Sequence, residues 1–159
     1  MKKILILYIA LSVNILAQEL SKKVLVGVWQ KGSELIASGY SDCYQFYPNG
    51  KFIFHFAETN DVHRIISFQG HYRLDKDSLI TKIESRTEEI GGYIRRGFLA
   101  YEAEWCLDST KTKVFKQLNS KEESYRIKLF KGKVLNFIIE EAEALHYFKL
   151  SSDPDFYKE

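Results

Sequence analysis

The chain has 159 residues, of which 14% are aromatic, 28% are charged and two are cysteines. Two of its 23 basic residues, Lys2 and Lys3, lie at the extreme N-terminus, which leaves 21 basic residues against 21 acidic ones. A formally neutral chain has no long-range field that gathers phosphates, so nucleic acid is excluded as the expected partner.

Residues 1–17 have the features of a cleaved secretory signal peptide. Two lysines precede the apolar run of residues 4–13 (ILILYIALSV), and Ala17 is a small residue suited to cleavage. The run is shorter than the roughly 20 apolar residues that a membrane-spanning helix needs. No cysteine follows the leader before Cys43, so lipid attachment is not expected. We expect a secreted or periplasmic protein without a transmembrane anchor after cleavage, and a single domain over residues 18–159.

Apolar and polar side chains alternate along most of the chain after Ser21, which is typical of antiparallel strands with one buried face. Residues 51–57 (KFIFHFA), for example, place three phenylalanines on one face. Turn signals such as residues 48–50 (PNG) and 131–132 (KG) separate the strands into consecutive hairpins. In chain order, the candidate strands are residues 24–30, 41–47, 51–57, 64–74, 78–84, 93–107 (one strand or two), 112–117, 124–130, 133–139 and 145–150.

A meander of this length has two exposed edges unless it closes on itself. We therefore expect an all-β fold, an antiparallel up-and-down meander closed into an 8–10-stranded barrel, with a two-sheet sandwich as the alternative. Residues 32–39 (GSELIASG) interrupt the alternation and predict a short helical turn or a loop across a barrel mouth. Residues 134–139 (VLNFII) are apolar on both faces. We therefore expect their outer face to be covered by the short helical turn, by the C-terminal tail or by a partner.

The first strand carries a motif known from other proteins. Residues 25–29 (LVGVW) resemble the glycine-x-tryptophan signature of lipocalin-like proteins of the calycin superfamily, here Gly27 and Trp29. The PNGKF turn and Gly70-His71-Tyr72 are similar to features of small secreted bacterial members. The resemblance implies that the tryptophan closes the barrel floor and that the glycine lets neighbouring backbone pass close to it. The family's last-strand arginine is absent, and Lys149 is the nearest substitute.

Several polar or aromatic side chains fall on the predicted inner faces. The alternation places Tyr72, Tyr101, Trp105 and Tyr125 inside, and the hairpin at residues 131–132 places Asn136 across from Ile127, again on the inside. Buried hydroxyl, indole and carboxamide groups need hydrogen-bond partners. These five residues are the candidate ligand-binding residues of the lumen, and a packed core with internal hydrogen bonds is the alternative.

Other chemistry is sparse in the sequence. A disulfide between Cys43 and Cys106 would contribute about 4 kcal/mol in an oxidising compartment, and two thiols are the alternative. His55 and His63, with two nearby carboxylates, fall short of the three or four rigidly held ligands of a convincing metal site. No catalytic motif is present, so we expect no metal, no cofactor and no enzymatic activity.

These observations predict capture of a small, largely apolar molecule inside the barrel. The alternative is a packed barrel that acts as an envelope protein-interaction or inhibitor-like module. Its protein partner would bind the outer face of residues 134–139 or the loop of residues 91–97. A barrel enzyme with acid and base groups at its mouth is a third hypothesis.

Overall fold

The computed structural model describes residues 21–32, 41–57, 62–97, 105–130, 133–140 and 143–156. The predicted leader and the predicted helical turn after Gly32 lie outside these residues. Within them, one short helix, α1 (Lys22–Leu25), precedes nine strands. The strands are β1 (Gly27–Lys31), β2 (Cys43–Phe46), β3 (Lys51–His55), β4 (Ile65–Asp75), β5 (Ser78–Arg96), β6 (Trp105–Lys116), β7 (Glu122–Phe130), β8 (Val134–Glu140) and β9 (Glu143–Ser151).

Eight of the strands form a closed antiparallel barrel. The pairing runs from β1 through β2, β3, β4 and β5 to β7, β8 and β9, and β9 pairs with β1. Strand β6 is additional and pairs with β5 alone among the described strands. The predicted closed all-β barrel is confirmed, and the alternative sandwich is wrong, because the β4–β5 pairing leaves no open edge in the eight-stranded wall.

Strand β5 extends beyond the end of the barrel wall. Its pairing with β4 ends at Glu88, whereas its pairing with β6 continues to Arg96. Residues 89–96 and 105–112 therefore form a two-stranded ribbon beyond the wall, which we call the β5–β6 arm. One continuous strand over residues 93–107 is wrong, whereas the alternative of two strands agrees with the described residues, because residues 93–96 extend β5 and Trp105 begins β6. Gly91 and Gly92 adopt φ of 71° and 66° without ending the strand.

The first strand begins later than predicted. Ser21 caps α1, and its hydroxyl accepts a hydrogen bond from the Val24 amide. The chain therefore makes one helical turn over residues 22–25 before β1 starts at Gly27. This turn places the Leu25 carbonyl beside the tryptophan that follows.

The Trp29 indole closes the end of the barrel at which β1 begins. Trp29 is 0% exposed, and its Nε1 donates a hydrogen bond to the Leu25 carbonyl at 2.7 Å. The Lys149 ammonium lies 5.3 Å from the ring centroid of Trp29 and donates to the Val24 carbonyl at 2.7 Å. A Cβ on Gly27 would lie 2.1 Å from the Ser151 carbonyl oxygen. The close backbone approach and the buried indole implied by the sequence motif are both present.

Inside the barrel the side chains form one hydrophobic core cluster. Its buried members are Leu25, Trp29, Phe46, Phe52, Tyr72, Leu79, Ile127, Leu135 and Tyr147. They come from α1 and from the eight strands of the barrel, because every second residue of each strand points inward. The interior is filled near Trp29, which leaves the other end of the barrel as the place for a cavity.

Candidate ligand cavity

A cavity of about 320 Å³ lies inside the barrel, away from the end closed by α1. It is near the lower limit of the 300–1,000 Å³ range typical of small-molecule pockets. Five strands contribute its walls, at the end where β2 and β7 begin and β3 finishes. The lining residues are Tyr44, Phe52, Phe54, Phe68, Thr81, Ile83, Glu123 and Tyr125.

One wall of the cavity is aromatic. Tyr44, Phe54 and Phe68 are direct cross-strand partners on β2, β3 and β4, so their side chains stand in one row on the inner face. The ring centroids of Tyr44 and Phe54 are 4.6 Å apart. Phe56 extends this row, 5.0 Å from Phe54 and 5.4 Å from Phe68. The row presents apolar ring surface to any molecule in the lumen.

The facing wall carries the polar groups. Thr81 of β5 is the direct partner of Glu123 of β7, and Leu79 is the partner of Tyr125. The Tyr125 hydroxyl donates a hydrogen bond to Glu123 Oε2. Thr81 is buried, whereas Glu123 is exposed at the rim. A ligand would therefore meet hydroxyl groups inside the cavity and a carboxylate at its opening.

The tyrosines of the cavity stay protonated at neutral pH. Burial, together with the hydrogen bond to Glu123 and the negative charge of that carboxylate, raises the pKa of Tyr125 to about 12. Burial also raises the pKa of Tyr44 far above its ordinary value, and the acidic groups around it, among them Tyr147, Tyr125 and Glu123, add to the shift. Each hydroxyl therefore remains a neutral hydrogen-bonding group rather than a base.

The predicted lumen residues lie in different parts of the structure. Tyr125 lines the cavity. Tyr72 points inward but belongs to the packed core, since it is 5% exposed and its hydroxyl donates to the Tyr47 carbonyl at 2.9 Å. The placement of Trp105 in the lumen is corrected, because this side chain is 50% exposed on the arm, opposite Arg96. Tyr101 lies outside the described residues.

The predicted position of Asn136 depended on a register that the structure does not have. Ile127 pairs with Phe137, and Asn136 pairs with Lys128, one residue away from the prediction. The reason for placing Asn136 on the inner face is therefore removed, and its side chain lies outside the description.

Of the eight lining residues, only Tyr125 was among the predicted lumen residues, and Tyr44 and Glu123 are two for which the sequence carries a clear signal. Tyr44 alternates with Gln45 in the same way as the phenylalanines of β3 alternate with their neighbours. Glu123 continues the inward period of Tyr125 and Ile127 by one step, but the predicted strand began one residue later, at residue 124. Extending the period of two through charged residues would have found it.

A polar row crosses the outer face of four strands. Gln30, Cys43, His55 and Ser67 are successive cross-strand partners from β1 to β4. Burial raises the pKa of the Cys43 thiol to about 11, with a further contribution from Asp42, so the thiolate that a nucleophile needs is scarce at neutral pH. His55 Nε2 lies 3.1 Å from Gln45 Oε1, and burial lowers the pKa of His55.

The two cysteines are buried thiols rather than halves of a disulfide. Cys43 belongs to β2 and Cys106 to β6, and these strands are not neighbours in the sheet. His55 and His63 bond to Gln45 and to the Ile65 carbonyl respectively. In the part of the chain that the structure describes, no group of three or more His, Cys, Asp or Glu residues is arranged to hold a metal ion.

Comparisons with known proteins do not assign the chain to a family. No protein-family model, no curated protein and no solved structure matches it. Among the described residues, the structure contains no helix of the length and apolar character required to cross a membrane.

Proposed function

We propose that the protein is a secreted or periplasmic, lipocalin-like binding protein that holds one small, largely apolar molecule in its barrel. The observation that carries the proposal is the aromatic-walled cavity of about 320 Å³ at the end of the barrel opposite α1. The signal-like leader supports the location, and the arrangement of Gly27, Trp29 and Lys149 supports the likeness to lipocalins.

The chemistry of the cavity is suited to capture. Burial of apolar ligand surface contributes about 25 cal/mol per Å², and the rings of Tyr44, Phe54 and Phe68 offer the surface against which it is buried. The hydroxyls of Thr81 and Tyr125 can fix the orientation of a polar group on the ligand. Because the tyrosines stay protonated, the arrangement favours binding over acid–base catalysis.

The proposal is tested by filling the cavity. Ile83 lines the cavity, whereas Ile80 alternates with it on the same strand and does not. Ile83→Phe should abolish binding of the neutral fluorescent probe N-phenyl-1-naphthylamine, and the matched control Ile80→Phe should retain it. Thermal melting verifies that both variants fold. The absence of probe binding to the wild-type protein, or equal binding by both variants, would count against the proposal.

A second candidate function is supported by the β5–β6 arm. Tyr93, Ile94 and Trp105 are 58%, 55% and 50% exposed, which is unusual for side chains of this size. Exposed aromatic and aliphatic groups are common in protein-binding surfaces. A protein partner at residues 91–97 is therefore the alternative proposal. The outer face of residues 134–139 remains a candidate only from the sequence, because most of its side chains lie outside the description.

A further inference from the structure

The described lining of the cavity carries one charged side chain. Glu123 is the only charged residue among the described residues that line it. The Arg73 guanidinium is bound to Glu122 at 3.0 Å, and that of Arg126 to Asp77 at 3.0 Å, both among exposed side chains of the outer face. Arg86, the cross-strand partner of Phe68, is paired with Glu88. A ligand that enters the cavity therefore meets the Glu123 carboxylate, and the nearby Arg73, Arg86 and Arg126 are paired with other acidic residues.

The aromatic row adds a second feature of the same kind. The faces of Tyr44, Phe54 and Phe68 carry the negative part of an aromatic quadrupole and attract cations. The Tyr44 and Tyr125 hydroxyls stay neutral, chiefly because burial raises the pKa of both groups, so they offer hydrogen-bonding groups to a ligand and add no charge of their own. The carboxylate and the rings therefore favour the same class of ligand.

We infer that the cavity selects a small organic cation, an amine or quaternary ammonium group attached to an apolar body. The apolar body lies against Phe52, Phe54 and Ile83, and the cationic group lies near the rim, where the Glu123 carboxylate is exposed. The Tyr125 hydroxyl holds that carboxylate by a hydrogen bond and so orients it. This inference rests on the proposed function, because it assumes that the cavity binds a small molecule.

Three probes with the same body separate charge from apolar burial. They are 4-phenylbutylamine, 4-phenylbutan-1-ol and 4-phenylbutanoate, measured by isothermal titration calorimetry and by displacement of N-phenyl-1-naphthylamine. The amine should bind about tenfold more tightly than the alcohol, the difference typical of one hydrogen bond to a charged group. The carboxylate should bind more weakly than the alcohol because it faces the Glu123 charge.

A matched pair of variants assigns the preference to Glu123. Glu123→Gln should reduce the affinity for the amine to that for the alcohol and leave the affinity for the alcohol unchanged. Glu122→Gln removes the same charge from the adjacent residue, which pairs with Arg73, and should leave the preference intact. Thermal melting of both variants controls for folding.

The outcomes distinguish this inference from the proposed function. Equal binding of amine and alcohol to the wild-type protein, or an amine preference that survives Glu123→Gln, overturns the inference while the cavity remains a binding site. Failure of the neutral probe and of all three phenylbutyl compounds to bind overturns the proposed function, and the inference fails with it.

Discussion

Trp29 links three parts of the chain at the closed end of the barrel. Its indole is fully buried, donates to the Leu25 carbonyl and lies under the Lys149 ammonium. Removing the ring leaves a void among residues of α1, β1 and β9, and it leaves the Leu25 carbonyl without its indole donor. The cost has two origins, lost apolar burial and a lost hydrogen bond.

We predict that Trp29→Ala lowers the free energy of unfolding by roughly 3–5 kcal/mol, as measured by urea denaturation. Trp105→Ala makes the same change at a side chain that is 50% exposed, and it should cost much less. Equal losses in the two variants would mean that Trp29 is not a core residue.

His55 provides a prediction about pH. Burial lowers its pKa in the folded state, so the folded protein binds a proton less readily than the unfolded chain, in which the pKa is about 6.5. Where the unfolded state binds more protons, the free energy of unfolding rises with pH. The contribution of His55 is therefore fully present above about pH 6.5 and is lost as the pH falls towards its folded pKa.

We predict that the free energy of unfolding of the wild-type protein falls more between pH 7.5 and pH 5.5 than that of His55→Gln, in urea melts at both values. The contact between His71 and Glu84 is present in both proteins, so its contribution cancels from the difference. Parallel pH dependences in the two proteins would show that His55 is solvated in the fold.

At the scale of elements, the strands were predictable and their registers were not. Alternation identifies a strand because the pleat repeats every two residues, and it identified most of the barrel. The β7–β8 hairpin shows the limit. The sequence predicted a two-residue loop, but Phe130 pairs with Val134, which leaves three residues between them. One extra residue moves every later partner, so Asn136 lost its predicted place opposite Ile127.

The arm escaped prediction for a related reason. Residues 91–97 were predicted to be a loop, because they begin with two glycines and glycine readily adopts positive φ. That prediction is wrong, since β5 continues to Arg96. In the structure both glycines have positive φ inside a continuing ribbon, where Gly91 still pairs with Thr110. Glycine signals a backbone conformation, and only the pairing partner decides whether the strand ends there.

The β1–β9 contact yields a prediction about backbone approach. A Cβ at Gly27 would lie 2.1 Å from the Ser151 carbonyl oxygen, whereas a Cβ at Gly32 would have no atom of the described residues within 4 Å. Both glycines have positive φ, 129° and 104°, so alanine is strained at each position. Gly27→Ala should therefore lower the melting temperature more than Gly32→Ala. A similar decrease in both would mean that the strands can separate at no extra cost.

At the scale of the whole molecule, the first and last strands are neighbours. β9 pairs with both β1 and β8, so the C-terminal strand completes the wall that begins at Gly27. The barrel thus depends on contacts between the two ends of the chain, whereas the arm depends on the local β5–β6 hairpin. This division separates the two proposed functions, since the cavity belongs to the barrel and the exposed aromatic side chains belong to the arm.

Excising the arm tests whether the two parts are independent. Glu88 and Lys113 are direct cross-strand partners, so an Asn-Gly turn can join them in place of residues 89–112. Every described lining residue of the cavity comes from β2, β3, β4, β7 or the part of β5 before Glu88. We therefore predict that the excised protein unfolds cooperatively and binds N-phenyl-1-naphthylamine with nearly unchanged affinity.

Truncation after Glu140 is the contrasting variant, and it should not fold, because β1 and β8 lose their shared partner and Tyr147 leaves the core.

A cooperative melt of the arm-excised protein combined with lost probe binding would contradict the independence of the cavity. The arm would then contribute to the binding site, because the described lining residues would all remain in place. Retained binding instead leaves the arm available for a separate partner, the function for which its exposed Tyr93, Ile94 and Trp105 are suited.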